Sequence, residues 1–295
     1  MNILITGATG FIGKALVQKW LADKHQITVL SRSPQKAESL FQQAVSAVGN
    51  LDVFSDLNEF DVVVNLAGEP IFDHRWTVQH KALLWQSRLH LTQKLTALIN
   101  QSTTPPKVFI SASATGFYGH GGEQELTENT PHSESFTGQL CAQWEQKALQ
   151  ANTRVCLLRT GIPLDLSGGA LAKIIPFYRW GLGGKLGDGR QFMPWIALSD
   201  IINAIDFLVM HEPCQGAFNL CAPNPIRNAE FNQRLGSHLN RPHFMTVPAF
   251  MLKLLLGERA CLVLDSQNTK PRKLQEMGFQ FEFEHIEDWL RANVF

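Results

Sequence analysis

The chain has 295 residues, room for one large α/β domain or two modest ones and ample for a buried core. Lysine plus arginine and aspartate plus glutamate each number 26, and this formal net charge of zero excludes the basic footprint of a nucleic-acid binder. No bilayer span is expected, because the most hydrophobic late stretch, PAFMLKLLLG, is short and carries Lys253.

The first strand is expected at ILIT, directly followed by Gly7, Gly10, Gly13 and the helix FIGKALVQKWLA. This apolar start lacks a basic region and meets glycine too early for a signal peptide. Strands at ITVL, DVVVNLAG, KVFISAS and TRVCLLR then alternate with helices at SPQKAESLFQQAV, TVQHKALLWQSRLHLTQKLTALI and SFTGQLCAQWEQKAL. Continuous apolar strands suit a sheet covered on both faces, and strand–helix alternation means right-handed crossovers. The expected fold is therefore α/β, a Rossmann-like doubly wound parallel sheet over residues 1–161. After Gly161 the rhythm breaks at the glycine-rich GLGGKLGDGRQFMPWI, and proline punctuates the remainder. Residues 162–295 are expected to form a smaller substrate-side region, partly returning to the main sheet.

Three glycines at three-residue spacing between a strand and a helix allow the backbone to approach a pyrophosphate. That group would rest on the helix N-terminus, where unpaired N–H groups and the helix dipole favour negative charge. The turn residues Gly7, Thr9, Gly10, Phe11, Ile12 and Gly13 are the candidates for this contact. A merely tight strand–helix turn, which needs one glycine, is the alternative. The second strand ends in VLSRS, offering Ser31 and Arg32 with no carboxylate before Glu38. A guanidinium there suits the 2′-phosphate of NADP, although a solvated surface arginine is the plainer reading. The expected cofactor is NADP, with NADPH preferred over NADH.

TGATGFIG, NLAG and SASATGFYG together resemble the extended short-chain dehydrogenase/reductase superfamily. SGGAL, GLGGKLGDGRQFMPWI followed by SD, and KPRKLQEMGFQFEF resemble its uncharacterised NAD(P)-dependent epimerase-family branch, and the likeness spans nearly the whole chain. By this resemblance Leu66, Ala67, Gly68, Arg88, Ser111 and Thr160 face the cofactor. The superfamily's chemistry rests on Tyr and Lys spaced Y-x-x-x-K, where the ammonium lowers the phenol pKa. This chain is atypical. Only Tyr118 and Tyr178 exist, and Thr137 and Cys141 stand where the pair belongs.

Ser113, or Ser111, lies at the strand edge where open α/β sheets bind ligands, and suits a substrate carbonyl. Tyr118 replaces the missing phenol if its loop folds inward, so Ser113 and Tyr118 are the catalytic candidates. Glu69 is a further possible acid or base, Cys141 reads better as a buried inert thiol, and Lys185 and Arg190 are possible anion contacts. Trp195 reads as a packing anchor. No metal site is expected from ten histidines without ligand spacing, and five scattered cysteines suit reduced thiols in the cytoplasm. Two classes of function stay open: an NADP-dependent oxidoreductase or epimerase with a non-standard proton donor, acting on a small-molecule substrate, or a non-catalytic NADP(H)-binding redox sensor. The helices TVQHKALLWQSRL and SFTGQLCAQWEQ either pair in a homodimer or cover the sheet of a monomer.

Overall fold

The computed structural model describes residues 1–293. The last two residues of the expected second region thus lie outside it. The strands β1 (Asn2–Thr6), β2 (Gln26–Leu30), β3 (Ser46–Val48), β4 (Val62–Asn65), β5 (Val108–Ala114), β6 (Arg154–Thr160) and β7 (Gly216–Leu220) form one sheet. They run in the order β7-β6-β5-β4-β1-β2-β3, and every pairing is parallel. Strand order reverses between β1 and β4, which opens a crevice beyond their carboxyl ends.

The helices among the described residues are α1 (Phe11–Ala22), α2 (Pro34–Leu40), α3 (Val78–Gln101), α4 (Phe136–Ala148), α5 (Gly169–Arg179), α6 (Leu198–Met210), α7 (Asn228–His238), α8 (Ala249–Leu256), α9 (Cys261–Leu264), α10 (Arg272–Glu276) and α11 (Ile286–Ala292). Successive strand residues point to opposite faces, and here both faces are apolar. Ile3, Ile5, Val62, Val64 and Ile110 meet α1 and α6 through Val17, Trp20, Ile201 and Ile205. Leu4, Val63, Phe109 and Leu157 meet Leu95 and Ile99 of α3. Each such fully buried side chain contributes roughly 1.5–3 kcal/mol relative to exposure. The Trp20 indole also donates to Asp206 Oδ1 at 2.9 Å, tying α1 to α6.

Helix starts follow their caps. Thr77 accepts from the His80 N–H and Ser135 from the Gly138 N–H, both at 3.1 Å. The helix expected over residues 33–45 ends at Leu40, because Gln42 and Gln43 take positive φ of 53° and 62°. The chain then extends into β3, a strand with only three residues and no sequence signal of its own.

After Thr160 the chain leaves the sheet and returns to it with α6 and β7. A second core gathers Leu171, Ile175, Trp195, Phe231, Leu235 and Trp289. Short pairings fasten it: 162–165 with 195–197, 192–193 with 226–227, 184–186 with 245–247, and 125–126 with 268–269.

Candidate functional site

The glycine turn is a backbone cradle. Gly7 has φ +73°, and a Cβ there would lie 2.7 Å from the Leu66 carbonyl carbon. A Cβ on Gly13 would lie 2.2 Å from the Gly7 carbonyl oxygen, and one on Gly10 at 3.1 Å from the same atom. Helix α1 starts behind Gly10 with no side-chain cap and no acidic residue in its first turn. Its N-terminal N–H groups therefore face the crevice available to an anion.

Gly7, Gly10, Phe11, Ile12, Gly13, Leu66, Ser113 and Thr160 line one cavity of about 240 Å³, walled on its far side by Ile201 and Ile205. Thr9 is exposed at the tip of the turn. Leu30 pairs with Thr6, so Ser31 and Arg32 follow at the same sheet edge. The Ser31 hydroxyl accepts from the Ser33 N–H at 3.2 Å, while Arg32 is exposed and without a partner among the described residues.

The stretch from Leu66 to Gly68 is held by a buried polar network that sequence reasoning missed. Thr6 Oγ1 donates to Asn65 Oδ1 at 2.7 Å and accepts from the Ala67 N–H at 3.2 Å. Asn65 Nδ2 and the Trp144 indole both donate to Thr92 Oγ1 at 2.8 Å. Only burial distinguishes Thr6, Asn65 and Thr92 from ordinary polar residues. Arg88 extends from α3 toward Gly68, donating from Nη2 to the Glu69 carbonyl at 2.9 Å. The Glu69 N–H in turn bonds Ser87 Oγ at 3.1 Å.

At the α4 end, Thr137 is buried against Gly116, where a Cβ would approach its own Cβ to 3.2 Å. Cys141 is buried too. Desolvation, reinforced by Glu145 and opposed by Arg88, pushes its thiol up to about 11. Ser113 Oγ donates to Glu145 Oε1 at 2.6 Å, and Arg159 clasps the same carboxylate with two bonds of 2.8 Å. Arg159 Nη1 also donates to the Tyr118 hydroxyl at 2.9 Å, and that hydroxyl donates to Asn219 Oδ1 at 2.6 Å.

The loop carrying Tyr118 thus does fold inward, and the ring is buried with its hydroxyl engaged by Arg159 and Asn219. Desolvation pushes its phenol up to about 12, although Arg159 and Asn219 oppose the shift. Ser111 lies one strand turn deeper than Ser113, fully buried and with its hydroxyl unpaired. Lys185 and Arg190 do not line the cavity. The fully buried Trp195 anchors to the Asn224 carbonyl at 3.0 Å. No group of three His, Cys, Asp or Glu among the described residues could hold a metal ion, and no helix there is long and apolar enough to cross a membrane.

A parallel sheet with its switch point beside an uncapped helix and a glycine cradle defines a dinucleotide-fold protein of the Rossmann type. The site fits a pyrophosphate, since Gly7, Gly10 and Gly13 line the cavity and the uncapped start of α1 opens onto it. Residues 3–221 match the NAD dependent epimerase/dehydratase family, and the chain belongs to that family. Residues 247–292 match a domain of unknown function. A chloroplastic epimerase family protein of Arabidopsis thaliana, the SDR39U1 homolog, is 41% identical over 99% of this chain and 86% of its own length. An epimerase family protein of Mycobacterium leprae is 36% identical over 96% of this chain and 92% of its own. The crystal structure of human epimerase family protein SDR39U1 with NADPH superposes with TM-score 0.91 at 32% identity, covering 99% of this chain and 98% of that one.

Proposed function

We propose that the protein binds NADPH along the carboxyl edge of the sheet and acts as an oxidoreductase or epimerase on a small molecule, a nucleotide sugar or a small carbonyl compound. The observation that carries this is the turn of Gly7, Gly10 and Gly13, which packs backbone on backbone and leaves the uncapped start of α1 open to the cavity. The human relative solved with NADPH supports the choice of dinucleotide. In this reading the turn from Gly7 to Gly13 holds the pyrophosphate, with Thr9 at its rim. Ser31 and Arg32 take the 2′-phosphate, while Leu66, Ala67, Gly68, Arg88 and Thr160 border the rest, with Ser111 as support beneath them. Bound there, the nicotinamide would supply or accept hydride.

The chain's own part in the chemistry falls to Ser113. Its proton is committed to Glu145, so its free lone pairs turn it into an acceptor that orients a substrate hydroxyl. Arg159 bonds both oxygens of Glu145, so that group is engaged on each side and fixes Ser113 in place. Tyr118 has the place of a structural phenol, with its hydroxyl engaged on both sides. The same observation favours a second reading, a redox sensor that binds NADP(H) without turning it over. Five free cysteines suit a compartment that keeps thiols reduced, and a monomer or homodimer is compatible with either reading.

Fluorescence titration of the protein with NADPH and NADH tests the cofactor. NADPH should bind at least about tenfold more tightly, a difference of roughly 1.4 kcal/mol. Arg32→Glu should remove most of that preference. Failure of both nucleotides to bind would overturn both readings together. Label exchange between nicotinamide C4 and a metabolite would exclude the sensor, whereas tight binding without exchange against broad extracts would exclude the enzyme.

A further inference from the structure

Residues 66–77, between β4 and α3, form neither helix nor strand, and their first three border the cleft. The middle of this loop is held by the C-terminal half of the chain. Arg259, in the tight turn Gly257–Ala260 after α8, donates from Nη1 to the Phe72 carbonyl at 2.6 Å and from Nε to the Leu256 carbonyl at 3.2 Å. It is only 9% exposed, and its guanidinium lies 5.8 Å from the Phe72 ring. Lys173 of α5 pairs with Asp73 at 2.7 Å and stands 5.8 Å from the same ring. At the loop's end the buried Trp76 packs with Phe136 and with Leu262 of α9.

Helix α5 joins the two lips of the cleft. Its start rests on Phe11, which lines the cavity: a Cβ on Gly168 would lie 2.8 Å from that ring. Lys173, one turn further on, reaches the opposite lip at Asp73. The enclosed cavity measures about 240 Å³. Sites for drug-sized ligands run to about 300–1,000 Å³, and a dinucleotide is larger than most such ligands. These walls must therefore part when one enters or leaves.

We infer that Arg259, with Lys173, is a latch that holds the loop 66–77 and α5 closed over the dinucleotide and sets the rate of its exchange. The inference rests on the cofactor reading above, and it gives a task to the segment 247–292 that matches a domain of unknown function. Arg259 does not line the cavity, so it acts through Phe72 and is a positioning residue. Its partners are protein carbonyls, which resist opening equally in the free and the loaded protein. Such a latch slows entry and release by one factor and leaves affinity unchanged, because it has no differential interaction with the two. Hydrogen bonds from a buried guanidinium outweigh an exposed ion pair, so Arg259 carries most of the effect.

Stopped-flow fluorescence with NADPH is the test. Arg259→Met should raise the association and dissociation rates together, each at least about tenfold, while Kd stays within about threefold. Lys173→Met removes only the exposed pair and should raise both rates about twofold. Unchanged rates in Arg259→Met would overturn the latch. So would a faster dissociation alone, which is the signature of a damaged binding site. If Arg259→Met melts early, Lys173→Met and Asp73→Asn decide: each should raise both rates alike, and the two together no more than either one. Amide hydrogen exchange without nucleotide gives an arm independent of the cofactor. Residues 69–76 should exchange at least about fivefold faster in Arg259→Met while β1 and β4 keep their protection, and an unchanged loop would overturn the inference. Failure of the wild type to bind NADPH strikes the cofactor reading instead, and the exchange arm still decides whether Arg259 holds the loop.

Discussion

At one end of the cleft, an added Cβ on Gly13 would lie 2.2 Å from the Gly7 carbonyl oxygen, and no side chain takes part in the arrangement. At the other end, beside α4, Ser113, Glu145, Arg159, Tyr118 and Asn219 are joined by side-chain hydrogen bonds of 2.6 to 2.9 Å. The first end is specified by what is missing from the backbone, the second by which side chains meet. Backbone sites tolerate no added atom but depend on few partners. Side-chain sites depend on every member, because a low-dielectric interior penalises each group left unpaired.

The largest effect should follow from breaking the second end at its centre. Arg159 and Glu145 are only 6% and 7% exposed, so Glu145→Ala strands a buried guanidinium. Unfolding by urea should show a loss of about 3–5 kcal/mol. The double variant Glu145→Met, Arg159→Met should recover most of it, because an apolar pair leaves no charge behind. No recovery would mean that Arg159 matters through Phe117, over whose ring it lies at 3.5 Å, rather than through the carboxylate.

Gly13→Ala breaks the first end. Helix α1 must move away from the turn, with a cost of about 1–3 kcal/mol from overpacking. The sharper readout is binding. NADPH affinity of the folded variant should fall at least about tenfold, whereas the Glu145 and Arg159 double variant should keep its affinity. If both variants bind equally well, the turn is not the pyrophosphate site.

Tyr118→Phe is milder and separates a structural phenol from a proton donor. It leaves Asn219 Oδ1 and one Arg159 contact unmatched, a loss of about 1–2 kcal/mol in urea unfolding. NADPH binding and any turnover measured on the folded variant should be unchanged. Loss of turnover with stability retained would return Tyr118 to the chemistry.

These contrasts explain what could be read in the sequence. The parallel sheet was legible because β1, β4, β5 and β6 are covered on both faces and therefore appear as unbroken apolar runs. The glycine turn was legible because steric demands act within a few residues. The α4 end was not. Tyr118 and Asn219 are 101 positions apart, and nothing in either neighbourhood marks the partner. Sequence could place Tyr118 near the cleft, but only the path of its loop shows that the hydroxyl turns inward. Arg88 was readable as an arginine on a long amphipathic helix, and its bond to the Glu69 carbonyl needed the fold.

The smallest effect concerns α6, whose Ile201 and Ile205 wall the cavity. Asp200 is fully buried, and accepts the N–H groups of Glu282 and Phe283 at 2.7 and 3.1 Å. Desolvation raises its carboxyl from 3.8 to about 6, although these two bonds pull the other way. A raised carboxyl means that the folded chain holds a proton that the unfolded chain gives up. Its contribution to stability is therefore complete below about pH 3.8 and is lost as pH rises through about 6. Asp200→Asn stays neutral throughout, but its amide has one acceptor oxygen for two donors, a loss of about 1 kcal/mol. The variant should be the less stable protein at pH 4, and the gap should narrow toward pH 7. Parallel stability curves for the two proteins would show that the carboxylate reaches water and that the cavity wall is less dry than its packing implies.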